Sequence, residues 1–156
     1  MSSLWLYKQL SKNIDLKLST RTRYGTRLMV ELGLNYGKNP IFLKDIARRE
    51  NISEKYLSLI IIPLRRVGLV KSFRGVHGGY NLAKEPSQIT LKEIMAVLEG
   101  DCFLVHCVKN PSSCSRVPMC AIHDIWVIIS EKISETLSSI TLDMLVKINQ
   151  EKAGVR

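Results

Sequence analysis

The sequence holds no apolar run of the roughly 20 residues that a membrane-spanning helix requires. Its richest stretch, residues 121–129, is interrupted by His123 and Asp124. Near the N-terminus the short apolar patch from Leu4 to Tyr7 gives way at once to Lys8 and Gln9, so there is no long core for a secretory leader. These absences exclude a membrane partner and lead us to expect a cytoplasmic protein. Also missing are a glycine-rich nucleotide loop leading into a helix and a G-x-S-x-G nucleophile elbow; the Gly78-Gly79 pair stands in a hairpin pattern without a phosphate-binding lysine. The expectation is therefore that the chain is not an enzyme.

Acidic residues are scarce and unevenly placed. The 156 residues carry 23 Lys and Arg against 14 Asp and Glu, a net charge of +9. Residues 1–86 hold 16 basic and 6 acidic side chains, whereas residues 87–156 hold 7 and 8, so the two parts carry +10 and −1. Each cation placed on a phosphate backbone releases a condensed counterion, so a basic half next to a neutral one points to a polyanion on one side of the molecule. For any single Lys or Arg, a solvated surface cation is the simpler explanation.

Helical and strand periodicities divide the chain. Residues 1–15 form an extension in which Leu4, Trp5, Leu10 and Ile14 suit a short amphipathic helix without a strong cap. Ser19 or Thr20 caps a first helix whose Tyr24, Leu28, Leu32 and Tyr36 share one face before Gly37 ends it. A second, short helix holds Leu43, Ile46 and Ala47 and stops near Asn51. Ser53 caps a third, which runs through Tyr56, Leu57, Ile60, Ile61 and Leu64 to Gly68. Two short helices joined by a tight turn make a helix-turn-helix. Residues 69–73 and 80–83 then read as strands around Arg74, Gly75, Val76, His77, Gly78 and Gly79, a hairpin that forms a wing. Pro63 removes a hydrogen bond inside the third helix, so a kink or an early tightening is expected there.

In the second half, Thr90 and Glu93 make a capping box for a helix running to about Leu98. An irregular, cysteine-bearing segment follows from Gly100, and it leads into a long helix from Cys120 or Ala121 to about Ser139. That helix has a broad apolar stripe of Ile122, Ile125, Trp126, Ile129, Ile133 and Leu137, widened by Val127 and Ile128. So wide a face calls for a second chain, which makes the long helix a dimerisation element; an intrachain core helix is the alternative. The fold class expected is mainly α with a small β-hairpin. It divides into an extension (1–15), a winged helix-turn-helix (16–86), and a sensor segment with dimerisation helices (87–156).

Two constellations carry chemistry. For duplex DNA, the first turn of the third helix presents Ser53, Lys55 and Ser58 to the major groove while Tyr56 and Leu57 stay in the core. Arg74 and its neighbour Gly75 at the hairpin tip suit the minor groove, where small residues permit close approach. Arg21, Arg23, Arg27, Lys44, Arg48 and Arg49 are assigned to phosphates, and His77 to the hairpin near phosphate. The second constellation is Cys107, Cys114, Cys120 and His123, a C-x6-C-x5-C-x2-H pattern. Three soft thiolates and an imidazole suit zinc or an iron-sulfur cluster, and Cys120 and His123 lie about one turn apart on a helix. Three reduced, unligated thiols are the alternative. Cys102, beside Phe103, Leu104 and Val105, reads as a small apolar residue rather than a ligand. His106, adjacent to Cys107, is an alternative ligand that its position makes awkward.

The sequence resembles the IscR/NsrR/CymR-type family of bacterial winged-helix regulators. The resemblance covers residues 16–146. It rests on Leu18-Ser19-Thr20 with Arg23-Tyr24, on Ile52-Ser53-Glu54-Lys55-Tyr56-Leu57, and on Leu64-Arg65-Arg66-Val67-Gly68-Leu69-Val70. Arg74-Gly75 with Gly78-Gly79-Tyr80, Cys107, Pro111-Ser112-Ser113-Cys114, Cys120, Trp126 and Ile140-Thr141-Leu142 complete it. The resemblance implies a homodimeric transcriptional regulator that binds double-stranded DNA, with Cys107, Cys114 and Cys120 ligating an iron-sulfur cluster. His123 matches the fourth ligand of the IscR branch, which favours 2Fe-2S over 4Fe-4S. The acidic first-helix ligand of other branches corresponds here to Arg23, which cannot ligate. A change at the cluster would alter the pose of the long helix and the spacing of the two recognition helices. The alternatives are a regulator of the same fold that is zinc-bound or of the cysteine-metabolism type, and a cluster-carrying redox protein without DNA function. Ser58 stands where IscR has an acidic residue, Val76-His77 replaces the commoner Pro-Gly, and residues 1–15 precede the usual start.

Overall fold

The computed structural model describes residues 18–100 and 103–154; the expectations for residues 1–15 and for Cys102 fall outside these. Seven main helices and one hairpin follow in the order α1 Thr20–Leu34, α2 Leu43–Glu50, α3 Glu54–Arg66, β1 Val70–Phe73, β2 Gly79–Leu82, α4 Leu91–Leu98, the single turn α5 His106–Lys109, α6 Ala121–Ser139 and α7 Leu142–Gly154. The expected class, mainly α with a small β-hairpin and a winged helix-turn-helix, is the one observed. No helix among the described residues is long and apolar enough to cross a membrane.

Local chemistry explains the element ends. The Ser19 side chain accepts a hydrogen bond from the Thr22 N–H and starts α1. Ser53 does the same for α3 through the Tyr56 N–H, and at α4 Thr90 and Glu93 close a reciprocal capping box. α1 stops at Leu34, earlier than its apolar pattern suggests. The Asn35 side chain donates to the Asn39 carbonyl at 2.6 Å, fixing a turn that carries Tyr36 away from the core face; Tyr36 is 41% exposed. In α3 the helix continues past Pro63 to Arg66. Proline removes only the bond to the Leu59 carbonyl, and Leu59 belongs to the exposed side of the helix, where an unpaired acceptor is least costly.

α2 and α3 are joined by Asn51, which adopts a left-handed conformation (φ 52°), and the chain reverses through the Ile52 N–H to Ala47 carbonyl bond at 3.0 Å. Ile52 then turns into the core. The antiparallel hairpin pairs Val70 with Leu82 and Phe73 with Gly79. Its second strand is fastened to residue 41 by a reciprocal Ile41–Tyr80 bridge of 3.0 and 2.8 Å. Gly79 is required there: its φ is +132°, and a Cβ would lie 2.6 Å from the Ile41 carbonyl oxygen.

The core is built on α1, where Leu28, Met29 and Leu32 are fully buried. Ile46, Leu57, Ile60, Leu64, Leu82, Ile89, Ile94, Leu98 and Leu142 surround them. Deep burial of each such aliphatic side chain contributes about 1.5–3 kcal/mol. Leu142 brings the last helix back onto the first, and Gly33 on α1 lets α7 approach so closely that a Cβ would meet the Val146 side chain at 2.6 Å. The return is pinned by the Leu91 N–H to Ile140 carbonyl and Leu142 N–H to Ile89 carbonyl bonds, both 2.8 Å. Residues 99–141, comprising the cysteine segment and α6, therefore leave and re-enter the body at one place, and none of the described ones belongs to the core cluster. α6 itself rests on α4 and α5.

Candidate nucleic-acid interface and cysteine segment

α3 shows two faces. Leu57, Ile60, Ile61 and Leu64 are buried, and Tyr56 packs edge-on to Tyr24 with ring centroids 5.9 Å apart. On the outer side Ser53, Glu54 and Lys55 are exposed at the first turn. Ser53 is already the helix cap, so its oxygen is partly committed while its hydroxyl hydrogen is not. Ser58 donates to the Lys55 carbonyl at 2.7 Å, which leaves its oxygen lone pairs for an incoming donor. The hairpin stands beside this face, and Arg65 Nη1 reaches Ser72 Oγ at 3.3 Å, linking the end of α3 to the first strand.

At the hairpin tip Arg74, Gly75, Val76 and His77 are all exposed. The turn closes through the Gly78 N–H to Gly75 carbonyl bond at 2.9 Å. Gly75 has φ +98°, and its position opens onto empty space beside the exposed Arg74. Lys71 and Phe73 extend the exposed face along the first strand.

The six cations assigned to phosphates are not equivalent. Arg27 Nε lies 2.5 Å from Glu50 Oε2 and its Nη2 donates to the Glu50 carbonyl at 2.6 Å, so Arg27 fastens α1 to the end of α2. Arg49 neutralises Glu31, a carboxylate only 8% exposed, at 3.2 Å. A buried carboxylate without a cation is costly, so Arg49 serves the fold first. Arg48 has a 3.9 Å contact with Asp45 and is otherwise exposed. Arg21 and Arg23 are exposed on α1, with Arg23 stacked 5.8 Å above the Tyr24 ring, and Lys44 lies 5.2 Å from the Phe42 ring. Sequence reasoning missed two residues on the outer face of α3, Leu59 at 59% and Ile62 at 44% exposure. The signal was present: a helix with apolar residues at 57, 59, 60, 61, 62 and 64 has more of them than one core-facing stripe accommodates.

In the second half, Cys107 sits on α5, Cys114 follows a single 3-10 turn, and Cys120 is the N-cap of α6. All three are reduced and half-buried. His123 is buried in the first turn of α6. Its Nε2 lies 3.2 Å from the Cys107 carbonyl oxygen, and its Nδ1 lies 3.4 Å from Asp124 Oδ1. A carbonyl oxygen only accepts, so Nε2 is the donor, and the imidazole holds the backbone of α5 against α6. The donor types suit a soft metal or a cluster, but among the described residues no three His, Cys, Asp or Glu side chains are gathered to hold one.

α6 is 19 residues long, about 28 Å, and its only buried residues are His123 and Ser130. Ile122, Ile125 and Ile128 are about half exposed and Ile129 is 36% exposed. Ile128, Ile129, Ile133 and Leu137 line an open groove of about 360 Å³ with Lys132 and Thr136.

Known proteins share this arrangement. The Rrf2 family, described as iron-dependent transcriptional regulators, matches residues 18–148. The HTH-type transcriptional regulator CymR of Bacillus subtilis is 41% identical over 130 residues, covering 83% of this chain and 89% of CymR. The solved structure of CymR, the global cysteine regulator of B. subtilis, superposes with a TM-score of 0.73 at 40% identity, covering 86% of this chain and 98% of that one. IscR of T. potens gives a TM-score of 0.72 at 37% identity, with 89% and 92% covered. The relatives and the fold are those of regulators, not enzymes. With the motifs of both halves, the winged-helix frame and these likenesses in agreement, the chain belongs to the Rrf2 family of transcriptional regulators.

Proposed function

We propose that the chain regulates transcription by binding duplex DNA as a homodimer. The first turn of α3 enters the major groove with Ser53, Lys55 and Ser58. The hairpin places Arg74, with Gly75 beside it, in the adjacent minor groove, and Arg23, with Arg21 and Arg48, rests on phosphates. One observation carries this reading: the outer face of α3 and the hairpin tip are both exposed and carry Lys55, Arg66 and Arg74, and the Arg65–Ser72 bond joins the end of α3 to the first strand of the hairpin. The exposed isoleucines of α6 support the dimer, because burying each against a second copy stabilises association by up to about 1.5–3 kcal/mol. A two-fold pair of α3 helices spaced near one helical turn, about 34 Å, reads a palindromic site.

A mobility-shift titration at two salt concentrations tests this. Affinity must fall steeply with salt, and Lys55→Ala and Arg74→Ala must each reduce the slope of log affinity against log salt by about one. Affinity indifferent to salt would sink the reading.

The cysteine segment is the control element in this reading. Donor chemistry and the family's iron-dependent description favour an iron-sulfur cluster on Cys107, Cys114, Cys120 and His123, of the 2Fe-2S type over 4Fe-4S. Such a group would supply a redox-responsive fastening of the segment. The likeness to a global cysteine regulator favours a second reading, control by the thiols themselves or by zinc. Anaerobic reconstitution with iron and sulfide decides between them. A visible chromophore with stoichiometric iron, lost in Cys114→Ala, supports the cluster; a colourless protein supports the second reading.

A further inference from the structure

Lys55, Leu59, Ile62 and Arg66 follow one another on α3 at steps of four, three and four residues, which sets them within about 60° of arc on the helix. All four are exposed, while Leu57, Ile60, Ile61 and Leu64 fill the opposite, buried face. The stripe therefore runs cation, apolar, apolar, cation. Its length, eleven residues of helical rise or about 16 Å, exceeds the width of the major groove, about 12 Å.

A major groove presents this pattern in complementary form. Its two walls are phosphates and its floor is base edges, and the one apolar group on that floor is the 5-methyl of thymine. We infer that Leu59 and Ile62 are specificity-determining residues that read thymine methyl groups, with Lys55 and Arg66 on the phosphates of the two walls. The inference rests on the DNA-binding reading above and adds to it which base the helix prefers.

The preference has a physical origin. Neither side chain can donate or accept a hydrogen bond. Against cytosine a leucine would bury an unpaired amino group, and against guanine it would bury two unpaired acceptors. Thymine offers the methyl group instead. Ser58, one step around the helix with its hydroxyl hydrogen already engaged, is left to accept from a base amino group rather than to compete for the same site.

The test uses the full chain and a duplex selected from a random-sequence library. Each thymine of the selected site is replaced singly by deoxyuridine, which removes the methyl group and nothing else. Wild type is expected to lose about fourfold in affinity at one or two positions per half-site, the effect of withdrawing one methyl group from an apolar contact. In Leu59→Ala or Ile62→Ala the same replacement is expected to cost nothing further, with the salt slope unchanged. Both positions are exposed, so thermal melting should not move. A second selection with Leu59→Gln is expected to exchange thymine for adenine at the position concerned. A flat deoxyuridine scan in wild type, or a penalty undiminished in both alanine variants while salt-dependent binding persists, overturns the inference alone. Absence of binding to any duplex overturns the DNA-binding reading and this inference with it.

Discussion

Ser19 and Glu99 stand eighty residues apart in sequence, and the serine Oγ donates to the glutamate Oε2 at 2.5 Å. The same carboxylate oxygen accepts from the Thr22 hydroxyl and, at 3.4 Å, from the Ser19 N–H. Glu99 caps the C-terminal end of α4 immediately before the cysteine segment, and Ser19 caps the N-terminal end of α1 beside Arg21 and Arg23. One carboxylate thus ties the root of the cysteine segment to the helix that carries Arg21 and Arg23.

The two hydroxyl donors, Ser19 first and Thr22 next, hold the Glu99 carboxyl below its ordinary value of 4.5, against a small opposing effect of burial. A carboxylate with a depressed value adds stability above its unfolded value, and that stability is lost as pH falls through the folded one. Glu99→Gln is therefore expected to melt lower than wild type at neutral pH, by a few degrees at most because the group is largely exposed to solvent screening. The gap should close as pH falls below about 4.5. Melting temperatures recorded across that range check this; a constant gap at all pH values would contradict it.

Leu142 is fully buried although it lies past the long helix, in a segment whose other described side chains all keep some exposure. Leu142→Ala should cost about 2–5 kcal/mol, because α7 cannot collapse onto the space left against α1. Urea unfolding measures it. A loss below about 1 kcal/mol would mean that the last helix is peripheral.

Ile128 is 52% exposed within one protomer, so a charge there leaves the protomer fold intact. Ile128→Glu is expected to give a monomer by sedimentation at micromolar concentration, with an unchanged circular dichroism spectrum. Affinity for a two-half-site duplex should fall at least tenfold, as the second half-site ceases to be held at high effective concentration. A dimer that survives the substitution would place the interface elsewhere.

Thr90 accepts from the Glu93 N–H at 3.2 Å, and Glu93 accepts from the Thr90 N–H at 2.8 Å. Thr90→Ala removes half of this box and should destabilise the protein by about 1 kcal/mol in the same urea assay. Thr90→Ser should recover most of it.

The caps were legible in the sequence because each is a contact over three residues: Ser19, Ser53 and Thr90 announce their helices by residue type and spacing alone. The hairpin was legible through its glycines and the turn at Asn51 through its position between two apolar patterns. Tyr36 misled because helical spacing continued past the point where an asparagine side chain had already made the turn. The ion pairs of Arg27 and Arg49 were hidden because their carboxylate partners, Glu50 and Glu31, lie 23 and 18 residues away. Leu59 and Ile62 were hidden in a run of apolar neighbours, where composition says core and only the rotation of the helix says surface. The four candidate metal donors were legible as a set of residue types; whether they assemble is a property of three-dimensional placement, which residue spacing does not encode.

The two 2.8 Å bonds that close residues 89–91 against 140–142 make the intervening stretch a detachable cassette. Every side chain of the core cluster lies either before Glu99 or at Leu142, so a short linker joining Leu98 to Thr141 would keep the whole hydrophobic nucleus. Cutting the chain anywhere upstream of Leu142 would instead breach it. A chimaera carrying a foreign block in place of that stretch needs to match only the distance between two neighbouring strands of backbone.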